Sequence, residues 1–150
     1  MKLKVYLDTS VFSAYLDQTN PERMNLSRDF WKHLKDFDVN ISEQVLAELA
    51  ATPDKGRKQN LENLIKGLTV LPLTSDAEEL SLEYLRHGAV PGRFKNDAIH
   101  LSIATLGGMD YLLSWNFKHL VNEKTRRIVN MVNQLRGLRQ LLIVTPPEML

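Results

Sequence analysis

Five polar positions stand out by residue type and by place. Asp8 follows the alternating stretch Leu3 to Leu7, Glu43 and Glu48 follow Asp38 to Ile41, Asp97 opens a long apolar stretch, and Asn116 follows Tyr111 to Leu113. Carboxylate and amide oxygens are hard ligands of the kind that suits Mg²⁺ or Mn²⁺. A cation held by such a set makes water more acidic and offsets charge on a phosphodiester during displacement. Hydrolysis by a metal-activated water is therefore the chemistry to test, and it requires residues far apart in sequence to converge.

Each position also has a plainer explanation. An acid in the first turn of a helix is favoured by the helix dipole, which accounts for Asp97 and, behind the capping Ser42, for Glu43. Glu48 lies mid-helix beside Val45 and Leu49, where a buried carboxylate is costly, so it is expected either at the surface or matched by a cation. His100, three residues after Asp97, shares its helix face and either orients a ligand, contacts substrate or is a hydrogen-bonded core histidine. Lys118 and His119 lie beyond a strand end, as phosphate contacts or as an exposed loop. Thr9 or Ser10 would help position ligand or substrate.

The elements that must position these groups can be traced along the chain. A strand ending before Asp8 runs into a helix over 9–16, and a second helix is expected over 22–35. A short strand over 38–41 leads to a helix over 43–51, stopped by Thr52-Pro53-Asp54, then a polar helix over 56–66. A strand over 69–72 and a helix over 75–86 precede the loop His87 to Gly92. The helix over 94–106 is apolar almost all round and so should be buried. A buried strand over 111–113, a helix over 123–135 and a strand over 141–144 complete the order βααβααβααβαβ. That order calls for a three-layer α/β/α fold with a central parallel sheet of about five short strands. In such a sheet ligands bind outside the carboxyl ends of the strands, where all five polar positions fall.

A length of 150 residues, 43% of them hydrophobic, suits a single domain, 1–150, with one core. The longest apolar runs fall far short of the roughly 20 residues of a membrane span. An acid at position 8 interrupts any signal sequence, so a cytoplasmic protein is expected. The absence of cysteine leaves only oxygen or imidazole to bind a metal. The net charge of +1 says nothing for nucleic-acid binding, so the distribution matters more. Basic residues gather at Lys55, Arg57 and Lys58, at Arg93 and Lys95, and from Lys118 through Lys124, Arg126 and Arg127 to Arg136 and Arg139. Each cluster alone is also what a solvated helix face looks like. Arg93 and Lys95 precede Asp97, and Lys118 and His119 follow Asn116, so both pairs are expected at the rim of the acidic pocket as substrate contacts.

Four segments together resemble the PIN-domain family: Leu7-Asp8-Thr9-Ser10-Val11, Ile41-Ser42-Glu43 with Leu46-Ala47-Glu48-Leu49, Asn96-Asp97-Ala98-Ile99-His100-Leu101, and Tyr111-Leu112-Leu113-Ser114-Trp115-Asn116. Their order and spacing, spanning nearly the whole chain, carry the resemblance, which is greatest to the toxins of VapBC-type toxin–antitoxin pairs. The resemblance implies a small Mg²⁺-dependent (or Mn²⁺-dependent) endoribonuclease, blocked by a cognate antitoxin and commonly dimeric. It places the family's first acid on Asp8, its second on Glu48 and its third on Asp97. Where many members carry a fourth aspartate, Asn116 stands here, removing a negative charge. A catalytically weak PIN-fold module acting by RNA or protein binding is the alternative. Two other folds with acids at strand ends fit less well: a haloacid-dehalogenase-like phosphatase needs an acid where Ser10 stands, and a response-regulator receiver needs a lysine where Thr145-Pro146-Pro147 stand.

Overall fold

A computed structural model describes all residues, 1–150. The strands are β1 (Lys4–Leu7), β2 (Asp38–Ser42), β3 (Thr69–Leu71), β4 (Tyr111–Leu113) and β5 (Leu142–Val144). The helices are α1 (Thr9–Leu16), α2 (Pro21–Trp31), α3 (Glu43–Ala50), α4 (Lys55–Leu64), α5 (Ser75–Arg86), α6 (Lys95–Leu106) and α7 (Glu123–Leu135). The element order is the one the sequence calls for. The expected helix over 22–35 stops at Trp31 and is followed by a separate 3₁₀ turn at Leu34–Asp36, and another 3₁₀ turn, Pro146–Met149, follows β5.

The five strands form one parallel sheet in the order β3-β2-β1-β4-β5. The chain winds outward from β1 through β2 to β3, then crosses back to add β4 and β5 on the other side of β1. Right-handed crossovers running in opposite directions lie on opposite faces of a sheet, which puts α1–α4 on one face and α5–α7 on the other. Packing follows that division, with α1 against α2, α3 and α4, and α5 against α6 and α7, except that α3 and α6 meet each other across it. The reversal of direction falls between β1 and β4, and a crevice opens at the carboxyl ends of strands at such a point.

Local sequence explains the elements. Asp8, Asn20, Ser42, Asp54, Thr74 and Asn122 each accept a backbone N–H in the first turn of the helix that follows, satisfying donors left free there. Pro21 at the start of α2 has the φ a helix needs and lacks only an N–H that would be unpaired. Helix α6 buries every residue from Ala98 to Thr105, as its apolar circumference requires. The core is continuous, with Tyr6, Phe12, Phe30 and Tyr84 wholly inaccessible. Each such side chain contributes about 1.5–3 kcal/mol by leaving water.

Candidate active site

The register pairs Leu7 with Leu113, so the residues that follow, Asp8 and Ser114, stand abreast at the switch point. The Asp8 backbone N–H also donates to the Leu113 carbonyl at 3.2 Å, extending the ladder by one residue. Asp8 is buried and held by three donors: the Ser10 N–H at 3.1 Å, the Ser10 hydroxyl at 2.5 Å and the Ser114 hydroxyl at 2.8 Å. Those two serine oxygens in turn accept the N–H groups of Trp115 and Asn116, each at 2.9 Å. The turn after β4 is thereby tied to the first acid.

Glu48, on the second turn of α3, reaches the same edge. It accepts hydrogen bonds from the Thr9 hydroxyl, the Gln44 amide at 2.8 Å and the His100 Nε2 at 3.0 Å. His100 is 2% exposed, and its Nδ1 lies 2.6 Å from the Tyr6 hydroxyl, which also meets the Ser42 hydroxyl at 2.7 Å. Of the roles the sequence allowed for His100, the geometry is that of a hydrogen-bonded core histidine matched to a carboxylate. When protonated, it also supplies the cation that Glu48 required.

Asp97, in the first turn of α6, meets His119 Nδ1 at 3.0 Å. A carboxylate only accepts, so Nδ1 carries the proton. His119 Nε2 is buried without a hydrogen-bond partner, beneath the Phe94 ring at 3.9 Å between centroids. His119 is 9% exposed, so its side chain lies against Asp97 and not in an open loop. The Asn116 amide oxygen accepts the His119 N–H at 3.0 Å, which bends the chain back toward Asp97.

The electrostatics separate the three acids. Burial pushes the Asp8 carboxyl above its ordinary range, against the pull of His100 and the serine hydroxyls, and the charge of Asp97 adds to the rise. Burial likewise raises Asp97, opposed by His100 and His119 and reinforced by Glu48. Burial acts on Glu48 too, but the hydrogen bond and charge of His100, with Gln44 and Thr9, outweigh it and bring it down to about 2. The same partnership raises His100 against the effect of its own burial.

Asp8, Glu48 and Asp97 thus come from three separate elements to one edge and feel one another's charge. No three His, Asp or Glu side chains stand close enough together to enclose a metal ion. The donor chemistry, all oxygen, suits a hard divalent cation, and Asp8 and Asp97 are the acids in which burial outweighs the protein's own stabilising partners. Glu48 and Asn116, like Asp8, have oxygens directed to protein donors, and one Asp97 oxygen meets His119. Glu43 is exposed and accepts the Leu73 N–H at 2.7 Å, tying the start of α3 to the segment after β3.

A recess of about 340 Å³ is lined by Glu48, Asp97, Asn96, Phe94, Arg93 and Lys95, which brings the first of the two expected basic pairs beside two acids. Lys118 is exposed and lines neither this recess nor the one bordered by Ser10 and Asn116. Sequence reasoning missed Tyr6, Gln44 and Ser114. Gln44 was detectable, since it lies four residues before Glu48 on one helix face. The roles of Tyr6 and Ser114 depend on strand register and had no local signal.

A parallel three-layer sheet with acids gathered at its switch point defines a class of α/β domains in which the ligand site sits on the carboxyl edge. Within that class the chain belongs to the PIN-domain family, whose model, described as PIN domain, matches residues 5–116. No curated protein matches the chain by sequence. Among solved structures it is similar to VapC20 of Mycobacterium tuberculosis, described as a sarcin-ricin loop cleaving toxin, at 18% identity and a TM-score of 0.57 over 74% of this chain and 88% of that one. It is also similar to VapBC2 of Rickettsia felis bound to a promoter DNA fragment, at 18% identity and a TM-score of 0.57 over 93% and 96% of the two chains. DNA-bound VapBC of Salmonella typhimurium gives 19% identity and a TM-score of 0.55 over 96% and 98%. At these identities the likeness is one of fold.

Proposed function

We propose that the protein is a divalent-metal-dependent endoribonuclease, the toxin of a VapBC-like toxin–antitoxin pair. The observation that supports this best is the convergence of Asp8, Glu48 and Asp97 on one edge, with the pKa values of Asp8 and Asp97 raised because burial outweighs the partners that stabilise their charge. Asp8 and Asp97 would hold the cation, Mg²⁺ or Mn²⁺, with Glu48 completing the acidic set. Such an ion supplies Lewis acidity, which offsets phosphoryl charge and lowers the pKa of water. The protein's own groups do the positioning: Ser10 and Ser114 fix the Asp8 carboxylate, His119 fixes Asp97, and His100, braced by Tyr6, fixes Glu48. Asn116 supports the site by shaping the loop that carries His119.

RNA is the substrate, with Arg93 and Lys95 contacting its backbone beside the acids, and Lys118 lies further out on the same loop as Asn116. No helix is long and apolar enough to cross a membrane. A cognate antitoxin is part of the proposal, supported by the VapBC assemblies that share the fold, and a homodimeric state and a cytoplasmic location are proposed with it. Incubating mixed RNA with the protein and Mg²⁺ or Mn²⁺ should give cleavage that chelator stops and that Asp8→Asn or Asp97→Asn abolishes. Cleavage at the wild-type rate by either variant, or in excess chelator, would refute the mechanism.

A second possibility, a PIN-fold module that binds RNA or protein and cuts weakly, is favoured by Asn116, whose amide oxygen is taken by the His119 N–H, and by Glu48, whose oxygens are taken by protein donors. It requires RNA retention without metal-stimulated cleavage in the same assay.

A further inference from the structure

A second recess, of about 420 Å³, is lined by Thr9, Ser10, Arg23, Arg57, Trp115 and Asn116 among others. It borders the acidic site through Thr9 and Ser10, whose hydroxyls hold Glu48 and Asp8. The Arg23 guanidinium carbon lies 5.0 Å from the centre of the Trp115 ring and 5.7 Å from that of Phe117. Phe117 is 49% exposed, while Trp115 is buried and donates to the Ser27 hydroxyl at 2.8 Å. Trp115 is thus a fixed platform under Arg23.

Neither Arg23 nor Arg57 forms an ion pair. Asp17, the one acid of this lining, directs its carboxylate to the Thr19 N–H at 3.0 Å and hydroxyl at 2.5 Å. Two guanidiniums free of ion pairs beside an exposed aromatic ring, separated from Asp8 and Glu48 by Ser10 and Thr9, match the way single strands are bound, by charge along the backbone and stacking on the bases. A duplex keeps its bases stacked on one another and would leave Phe117 unused.

We infer that this recess is a subsite for single-stranded RNA, in which Arg23 and Arg57 hold phosphates on one side of the scissile bond, while Phe117, beside the recess across Arg23, stacks on a base. The inference rests on the ribonuclease function proposed above and extends it: the strand runs from Arg23 and Arg57, past Thr9 and Ser10, to the acids and the recess of Arg93 and Lys95.

Binding of a labelled single-stranded RNA of mixed sequence, followed by fluorescence anisotropy in chelator across a salt series, tests the subsite without needing cleavage. Arg23→Gln with Arg57→Gln should weaken binding and flatten the log–log salt slope by about 1.4, at roughly 0.7 per phosphate contact. Phe117→Ala should weaken single-strand binding about 5- to 150-fold, leave the slope alone, and not change the affinity for a duplex of the same length. The replaced side chains are partly or largely exposed, and circular dichroism confirms the fold of each variant. An unchanged slope in the double variant, a silent Phe117→Ala, or variants impaired only in binding an acidic protein segment would overturn the subsite. Double-variant RNA binding that stays intact alongside metal-dependent wild-type cleavage would sink the subsite and leave the nuclease standing. Weakened binding with no wild-type cleavage in Mg²⁺ or Mn²⁺ would do the reverse.

Discussion

Asp97 and Glu48 are both carboxylates at one edge of the sheet, yet their surroundings push them in opposite directions. Asp97 has a folded pKa above its ordinary 3.8, so without metal its ionised form is a burden on the native state. That burden is absent below 3.8 and grows as pH rises through the folded value. Asp97→Asn keeps an acceptor for His119 and removes the charge, so in chelator it should match the wild type at low pH and become the more stable protein as pH rises. Urea melts across a pH series check this, and a variant less stable at neutral pH would show that the charge is compensated. Glu48 and His100 behave oppositely, as a matched pair. The Glu48 contribution is present above 4.5 and lost as pH falls toward about 2. The His100 contribution is present below 6.5 and lost as pH rises through its raised folded value. The pair therefore contributes most between those two ordinary values. His100→Ala should cost about 2–4 kcal/mol there, since it leaves a half-buried carboxylate unmatched and the Tyr6 hydroxyl short of a partner. A loss that does not vary with pH would mean that packing alone is at stake.

At the scale of elements, α6 carries Asp97 and His100 on its first turns and is locked at its other end by close approach to β3. A Cβ on Gly107 would lie 2.8 Å from Leu71 Cδ1 and 3.0 Å from the Ile103 carbonyl oxygen. Its φ of −74° suits any residue, so the constraint is space and not backbone freedom. Gly107→Ala should therefore destabilise by about 1–3 kcal/mol, as overpacking does. Because the site lies at the other end of the helix, metal-dependent cleavage per folded molecule should be kept, and thermal melts with activity assays separate the two effects. The elements themselves were largely legible, since α6 announced its burial by its apolar circumference and α3 its start by Ser42. The helix expected to run to residue 35 ended at Trp31, whose indole packs on Phe12 and Tyr15, a tertiary contact with no counterpart in local periodicity.

For the whole molecule, a net charge of +1 hides an uneven distribution: acids at the switch point, with arginines and lysines in the recesses that border it. A phosphate backbone repelled by Asp8 and Asp97 needs such a rim. Replacing Arg93 and Lys95 together by Gln should flatten the salt slope of RNA affinity by about 1.4, at roughly 0.7 per contact, while metal affinity changes little. An unchanged slope would make the pair solvated surface. Since this pair and the arginines at the other recess are far apart in sequence and share no partner, their effects on the slope should add.

Strand and helix types, their order and the parallel sheet follow from local patterning, because alternation, helical spacing and capping residues act within a few positions of each other. The same patterning put Asp8, Asp97 and Asn116 at carboxyl ends of strands or starts of helices and Glu48 one turn into α3, and the sheet then made them neighbours. Only the tertiary structure decided what each touches. Register set Ser114 beside Asp8, the meeting of α3 with α6 gave Glu48 to His100, and the turn after β4 folded His119 under Phe94 and against Asp97. Those partners lie 22 to 106 residues apart, and pairing over such distances is chosen by how whole layers pack, which the local propensities of either partner do not encode.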